Sequence, residues 1–186
     1  VQTCALPIYN ASAKRVISAN LSNHYELART FFKKKKSVST LYLGETVWFC
    51  RNAENKNAEL FSDAFVGKGF ENNCYDSIDW TVGNWMTMQM KFDDAKAGEV
   101  VVGKFSLGAV QNGVQKVTVF VNDEKNSEHI LNDGDDFFSF TFIMPKDRIV
   151  GISFEIPMAV SPFELGNGSE KRKLGFQIKN ALFYER

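Results

Sequence analysis

Hydrophobic and polar residues alternate with a period of two along most of the second half of the chain. The clearest case is the segment Trp85–Phe92. Its two sets of side chains are Met86, Met88, Met90 and Phe92 on one side, and Trp85, Thr87, Gln89 and Lys91 on the other. Strict alternation is typical of a β-strand that has one dry face and one wetter face.

The same period predicts further strands along the chain. They are Leu41–Phe49, interrupted at Gly44, then Glu99–Leu107, Lys116–Val121, Phe138–Phe142, Val150–Ile156 and Leu174–Tyr184. Asn122-Asp123 and Pro145-Lys146-Asp147 are turn signals between them. Because each strand has one apolar face that needs a second sheet, we expect an all-β fold. The predicted class is a two-sheet antiparallel β-sandwich of jelly-roll or galactose-binding-like type.

The segment Ile156–Gly175 separates the last two predicted strands and cannot be regular structure. Pro157 and Pro162 lack the amide that a central strand needs, and Gly166-Asn167-Gly168 is typical of a turn with positive φ. A loop of this length in a compact domain is usually functional or specifically braced. Glu164 and Arg172 lie near its two ends, so we expect them either to form an ion pair that braces the loop or to contact a ligand.

The residues before the first strand differ in character from the rest. Residues 1–8 read, codon by codon, like translated sequencing adapter and are excluded from fold reasoning, which makes the chain a piece of a longer protein. Residues 9–38 are expected to form a helical linker or the end of a preceding domain, because Asn23 and Glu26 have capping-box spacing and Tyr25 and Phe32 recur at helical spacing. The sandwich is assigned to residues 39–186.

Composition and charge exclude several classes of function. The chain has 22 Lys plus Arg and 22 Asp plus Glu, so it has no net field that would attract nucleic acid. Seventeen Phe, five Tyr and three Trp favour sheet packing. No stretch approaches the roughly 20 apolar residues of a membrane span.

Residues that often carry catalysis or bind metals show no motif here. His24 and His129 have no ligand spacing, and Asn132–Asp136 is interpreted as a polar hairpin turn rather than a calcium loop. Cys50 and Cys74 are compatible with a disulfide and equally with two buried thiols. We therefore predict no catalytic residues, no metal and no cofactor.

A series of short motifs resembles a known domain. Ser161–Gly166 (SP-x-ELG), followed by Arg172–Gly175 (R-x-LG), is the most specific part, and Trp80–Gly83 is moderately specific. They are similar to the C-terminal β-sandwich domain of bacterial envelope-glycan proteins, which include phosphoglycerol transferases of the sulfatase superfamily and membrane glycosyltransferases. The resemblance implies a non-catalytic accessory domain. It also implies a catalytic or membrane domain in the same parent chain, and a location on the extracytoplasmic face of the cytoplasmic membrane.

Two hypotheses of function follow. In the first, the domain binds carbohydrate by stacking aromatic rings on sugars and bonding their hydroxyls. The candidate ligand residues are Trp80, Trp85, Tyr75, Asp79, Asn84, Glu164 and Arg172. In the second, these residues are structural and the domain packs on a catalytic or membrane neighbour, which requires an apolar patch outside the sandwich. A glycan-hydrolysing Asp/Glu pair is a less favoured alternative, because no pattern marks one.

Overall fold

The computed structural model of the chain describes residues 40–50, 66–70 and 79–186. All of them lie within one compact unit, Ser37–Arg186. The helix predicted over residues 9–38 lies outside the described residues, and so do residues 1–8, His24, Tyr75 and Cys74. No helix among the described residues is both long and apolar enough to cross a membrane.

Eleven β-strands are formed by the described residues. In chain order they are β1 (Thr40–Leu41), β2 (Thr46–Trp48), β3 (Val66–Lys68), β4 (Asp79–Val82), β5 (Trp85–Phe92), β6 (Val100–Val110), β7 (Val114–Val121), β8 (Glu124–Asn132), β9 (Phe137–Ile143), β10 (Ile149–Glu155) and β11 (Leu174–Glu185). A short 3-10 turn, Gln111–Gly113, joins β6 to β7.

The strands form two sheets. Sheet A has the order β1-β5-β10-β7-β8, and β3 also pairs with β5. Sheet B has the order β2-β11-β6-β9, and β4 also pairs with β11. All pairs are antiparallel except the short parallel contact between β1 and β5. Consequently β10 lies between β5 and β7, so residues far apart in the sequence become neighbours on one surface of sheet A.

The hydrophobic core lies between the sheets and is rich in phenylalanine. The ring of Phe105, on sheet B, lies 5.0 Å from the ring of Phe154 on sheet A and 5.4 Å from that of Phe138. Its contact with Phe154 is edge-to-face, which is a favourable geometry for aromatic pairs. The side chains of Met86, Met88 and Phe92 are buried on the same inner surface. The predicted all-β, two-sheet sandwich is therefore confirmed.

Several local predictions have clear outcomes. The strand predicted at Trp85–Phe92 is confirmed with those bounds. The single strand predicted through Leu41–Phe49 is wrong, because Gly44 at φ 88° turns the chain and sends β1 to sheet A and β2 to sheet B. The turn at Asn122-Asp123 is confirmed, and both residues have positive φ, 49° and 71°, as a type I′ hairpin requires.

The irregular segment between β10 and β11 is also confirmed. Gly166 and Gly168 have φ of 75° and 127°, which glycine adopts at little cost. Backbone hydrogen bonds of 3.1 Å link Val160 and Leu174 in both directions and close the base of the loop. Because β10 belongs to sheet A and β11 to sheet B, the loop crosses from one sheet to the other at one end of the sandwich.

Candidate functional site

The structure separates the predicted aromatic residues. Trp85 begins β5 and faces outward from sheet A, since its neighbour Met86 points into the core. Trp80 lies in β4 and faces outward from sheet B, since Asp79 and Thr81 on either side of it are buried. Tyr75 lies outside the described residues. Trp80 and Trp85 therefore occupy opposite surfaces of the sandwich.

Two of the predicted polar ligands are placed where they support the fold. Asp79 is buried at the start of β4, on the inner side of sheet B. The side-chain amide of Asn84 donates to the carbonyl of Ile156 at 2.9 Å, and the backbone carbonyl of Asn84 accepts from Ile156 N–H at 2.8 Å. Asn84 thus ties the β4–β5 turn to the end of β10.

The predicted ion pair between Glu164 and Arg172 is replaced by two shorter-range contacts. Arg172 Nη2 lies 2.6 Å from Glu170 Oε2, whereas Glu164 Oε2 accepts from the backbone N–H and the hydroxyl of Ser161, each at 2.9 Å. Partners two or three residues away need less ordering of the chain than a partner eight residues away. The hydrogen bond from the Arg172 side chain lowers the pKa of Glu170 to about 2, and the hydrogen bond from the Ser161 backbone lowers the pKa of Glu164.

An aromatic pair marks a different surface, the outer face of sheet A. The ring centroids of Trp85 and Phe120 lie 5.5 Å apart with the planes tilted by 37°. Trp85 is on β5 and Phe120 on β7, so the pair reaches across the intervening strand β10. In the register, Glu155 of β10 stands opposite Trp85, and Ser153 stands opposite both Thr87 and Phe120. A platform of aromatic and polar side chains therefore crosses three strands.

The platform also offers hydrogen-bonding groups. We define the sheet A platform as Trp85, Phe120, Thr87, Gln89, Ser153 and Glu155. Thr87 is only 7% exposed, and its hydroxyl has no hydrogen-bond partner within the described part of the chain. That hydroxyl is covered by protein atoms, so a ligand on the surface does not reach it. Gln89, Ser153 and Glu155 are half-buried and are therefore the polar side chains that the platform offers to a ligand.

The charged residues near the platform differ in whether they are paired. Glu155 takes part in no ion pair with another described residue, whereas Glu128 on the neighbouring strand β8 bonds Lys125 at 2.8 Å and Lys116 at 3.2 Å. The hydrogen bonds from Lys125 and then Lys116 lower the pKa of Glu128. One carboxylate, Glu155, thus remains available beside Trp85 to accept hydrogen bonds from a ligand.

Sequence reasoning identified Trp85 but missed the other members of the platform. The alternation of β5 does place Thr87 and Gln89 on the same side as Trp85. Phe120, Ser153 and Glu155, however, join them only through the strand order β5-β10-β7. That order depends on pairing between distant segments, which no local pattern in the sequence carries.

The outer face of sheet B has a different composition. Along β11, Gln177 is paired with Trp80, Asn180 with Trp48, and Tyr184 lies further towards the end of the strand. Its aromatic residues are Trp48, Trp80, Tyr184 and Phe137. Lys104 lies with its ammonium 4.0 Å above the Phe137 ring. Lys104, Gln177 and Asn180 lie among these aromatic residues, so this face offers a cation and amides, whereas the sheet A platform offers a carboxylate and a hydroxyl.

The described residues contain no group of three or more His, Cys, Asp and Glu side chains arranged to hold a metal ion. His129 lies on the inner side of β8, 5.2 Å from the ring of Phe138, and burial lowers its pKa. Ser127 Oγ lies 2.9 Å from His129 Nε2. Cys50 is buried and disulfide-bonded. The arrangement on the sheet A platform is suited to stacking and hydrogen bonding rather than to acid–base chemistry.

Comparisons with known proteins show no family model and no curated protein that matches this sequence. Among solved structures, a family 35 carbohydrate-binding module from an environmental isolate matches with a TM-score of 0.37 and 13% identity, over 55% of this chain and 66% of that one. CsCBM6-3 from Clostridium stercorarium, solved with cellobiose, matches with a TM-score of 0.40 and 8% identity, over 81% and 99%.

The mosquito-larvicidal Cry4Aa toxin from Bacillus thuringiensis matches with a TM-score of 0.39 and 8% identity, over 80% of this chain and 25% of that one. The chain thus spans less than two thirds of the length of the toxin and of the family 35 module. TM-scores and identities this low identify neither a ligand nor an activity.

Proposed function

We propose that the chain is a non-catalytic carbohydrate-binding β-sandwich whose ligand lies on the sheet A platform. The observation that carries the proposal is the Trp85–Phe120 pair, which lies beside the half-buried polar side chains of Gln89, Ser153 and Glu155. A ligand that suits this surface has one flat apolar face and a rim of hydroxyls. A pyranose sugar has that shape, with its C–H groups on one face and its hydroxyls at the edge.

Each part of the platform has a role in this proposal. The Trp85 ring stacks on the C–H face of the sugar, and Phe120 supports the tilt of the tryptophan from the other side of β10. Glu155 and the side-chain carbonyl oxygen of Gln89 accept from sugar hydroxyls, while Ser153 donates or accepts. Such sites combine a mainly apolar floor with a few placed polar groups that give orientation and specificity.

The chain provides its own control for testing this proposal. Trp85→Ala and Trp80→Ala each remove a half-buried tryptophan from the outer face of one sheet. On a glycan array with the 186-residue protein, we expect Trp85→Ala to abolish retention and Trp80→Ala to leave it unchanged. Thermal melts of both variants check that they are folded. Equal retention by wild type and a folded Trp85→Ala variant would reject the platform as the site.

We further propose that the parent protein makes or modifies glycans of the bacterial cell envelope, outside the cytoplasmic membrane. The support is the pairing of SP-x-ELG at Ser161–Gly166 with R-x-LG at Arg172–Gly175. Recovery of the complete gene tests this proposal. A transferase or membrane glycosyltransferase domain in the same reading frame is the expected result, and an unrelated parent would exclude this setting.

A second candidate function is packing against another domain of the parent chain. The specific observation is the outer face of sheet B, where Trp48, Trp80 and Tyr184 lie on adjacent strands. In that case Trp80→Ala, and not Trp85→Ala, weakens the association of the sandwich with the rest of the parent, as measured by limited proteolysis of the full-length protein. The same two variants therefore separate the two functions.

A further inference from the structure

The two sheets differ in how their β8 and β9 edges are protected. β8, at the edge of sheet A, carries the exposed charges Glu124, Lys125 and Glu128, and its register against β7 is interrupted by a shift. Charges and irregularities of this kind normally prevent edge-to-edge association. β9, at the edge of sheet B, has the sequence FFSFTFI, with no charge and no proline, and pairs with β6 over its full length without a shift.

The backbone of β9 presents alternate residues to the side away from β6, where no other strand of the described ranges pairs with it. On the side that faces β6, Met144 N donates to Glu99 O at 2.8 Å and Met144 O accepts from Gly98 N at 2.9 Å. At the other end of β9, Asp136 O accepts from Leu107 N at 2.8 Å. Even-numbered residues therefore bond to β6. The odd-numbered residues direct their N–H and C=O groups away from β6; they are Phe137, Ser139, Thr141 and Ile143.

β9 is self-complementary about Phe140. In an antiparallel pair of two β9 strands related by a two-fold axis at Phe140, Phe137 of one copy stands opposite Ile143 of the other, and Ser139 stands opposite Thr141. Phe137 is 50% exposed and Ile143 is 69% exposed. Aromatic with β-branched and Ser with Thr are favourable cross-strand pairs. Every edge-facing residue thus meets a suitable partner.

The charges that flank β9 fit the same pairing. The preceding turn contains three aspartates and the following turn contains two cations and one aspartate; they are Asp133, Asp135 and Asp136, then Lys146, Arg148 and Asp147. Antiparallel pairing brings the acidic turn of one copy against the net basic turn of the other. Asn126 Nδ2 donates to Thr141 O at 2.8 Å, and this carbonyl keeps a second lone pair for an incoming N–H.

The geometry points to β9 as a homodimerisation edge that takes a second copy of this chain. Two β9 strands pair antiparallel about Phe140, so that sheet B of one copy continues into sheet B of the other. An isologous contact of this kind closes on itself and forms a dimer rather than a fibre. This inference concerns the edge of sheet B and does not depend on glycan binding by sheet A.

Sedimentation equilibrium of the 186-residue protein tests the inference, with a matched pair of isoleucines. Ile143 lies on β9, whereas Ile130, 59% exposed, lies on β8. Wild type is expected to show a concentration-dependent dimer. Ile143→Lys should raise the dimer Kd by at least about tenfold, which corresponds to about 1.4 kcal/mol. The reason is that the substitution removes both Phe137–Ile143 cross-strand pairs and places a lysine charge in the interface. Ile130→Lys leaves the Kd within about twofold of wild type.

A second pair of variants tests the register and keeps the number of substitutions constant. Ser139→Lys with Thr141→Lys places lysines opposite one another across the two-fold axis, whereas Ser139→Lys with Thr141→Glu places Lys opposite Glu. The first is expected to dissociate the dimer and the second to retain it. A wild type that is monomeric at every concentration, an equal effect of the two double variants, or dissociation by Ile130→Lys would each overturn the inference.

Discussion

The two outer faces of the sandwich arise from the same core but differ in chemistry. On sheet A, Trp85 and Phe120 enclose the polar side chains of the neighbouring strand, and Thr87 holds a hydroxyl that is buried beside them. On sheet B, Trp48 and Trp80 lie on separate edge strands, and the residues opposite them on β11 are the amides Asn180 and Gln177. A face that combines stacking with fixed hydrogen-bonding groups selects a ligand by orientation. A face on which the tryptophans lie apart, each opposite an amide, is suited to burying area against a partner.

The comparison also shows why residue type alone does not locate a site. Trp80 and Trp85 are five positions apart in the sequence, yet the turn at Gly83-Asn84 carries the chain from sheet B to sheet A between them. Two tryptophans that are close in the sequence therefore lie on opposite surfaces. Variants in the shared core and on each face separate the stability of the sandwich from the function of either surface.

The largest expected effect comes from the core that both faces share. Phe105→Ala removes a ring that contacts Phe154 on sheet A and Phe138 and Phe183 on sheet B. We expect the free energy of unfolding in urea to fall by about 3–5 kcal/mol. Phe163→Ala, in the exposed loop before β11, should change it by less than about 0.5 kcal/mol. Similar values for the two variants would show that the sheets do not share this core.

The second largest effect concerns Gly69, which directly follows β3 at the edge of sheet A. A Cβ on Gly69 would lie 2.3 Å from Trp85 O and 2.6 Å from Met86 Cα, whereas one on Gly44 would meet no atom within 4 Å in the part of the chain that is described. Both glycines have positive φ, 98° and 88°. Gly69→Ala should therefore cost about 1–3 kcal/mol of unfolding free energy beyond Gly44→Ala. An equal loss of unfolding free energy in the two variants would mean that the backbone at Gly69 is not in close contact with the backbone of Trp85 and Met86.

A smaller effect separates binding from stability on sheet A. Ser153→Ala removes a half-buried hydroxyl from the platform, so the free energy of unfolding should change by less than about 0.5 kcal/mol. Glycan affinity, measured by calorimetry, should fall by about three- to tenfold. Ser106→Ala removes a half-buried hydroxyl from β6 of sheet B; it is the matched control and should alter neither quantity. A Ser153→Ala variant that binds as wild type would remove Ser153 from the site.

The smallest effect concerns the loop that joins the two sheets. Arg172→Ala removes the hydrogen bond that holds the pKa of Glu170 at about 2, so that pKa should return towards the usual 4.5 in an NMR titration of the carboxyl group. Because the folded pKa is the lower one, the pair stabilises the fold above pH 4.5, and this contribution is lost as the pH falls towards 2. Both side chains are substantially exposed, so the change in stability is small.

Arg172→Ala also tests where the ligand lies. Glycan retention should be unchanged, because the platform on sheet A does not include Arg172. Loss of retention in this variant, with the fold intact, would move the ligand from the sheet to the loop.

The regular strands were predictable because they alternate between a buried and an exposed face. Trp85–Phe92 has this pattern in its purest form, and its bounds are confirmed. β8 was missed because its inward residues include Ser127 and His129, which do not read as apolar, so no alternation is visible in Glu124–Asn132. His129 faces inward because its ring packs against Phe138, a contact that the sequence pattern of β8 does not indicate.

The candidate site was only partly predictable. Trp85 could be selected because it stands on the wetter side of a strongly alternating strand. Its partners Phe120 and Glu155 could not, because their proximity depends on which strands pair across long stretches of chain. The Glu164–Arg172 pairing failed for the opposite reason. Each charge has a partner within three residues: Ser161 for Glu164 and Glu170 for Arg172.

The central claim is that the glycan lies on sheet A, and the three tryptophans of the chain allow it to be tested in one spectrum. In a ¹⁵N–¹H titration with a glycan retained on the array, the indole N–H signal of Trp85 should shift as ligand is added, while those of Trp48 and Trp80 stay in place. Shifts at Trp48 or Trp80 with Trp85 unmoved would place the ligand on sheet B and contradict the account.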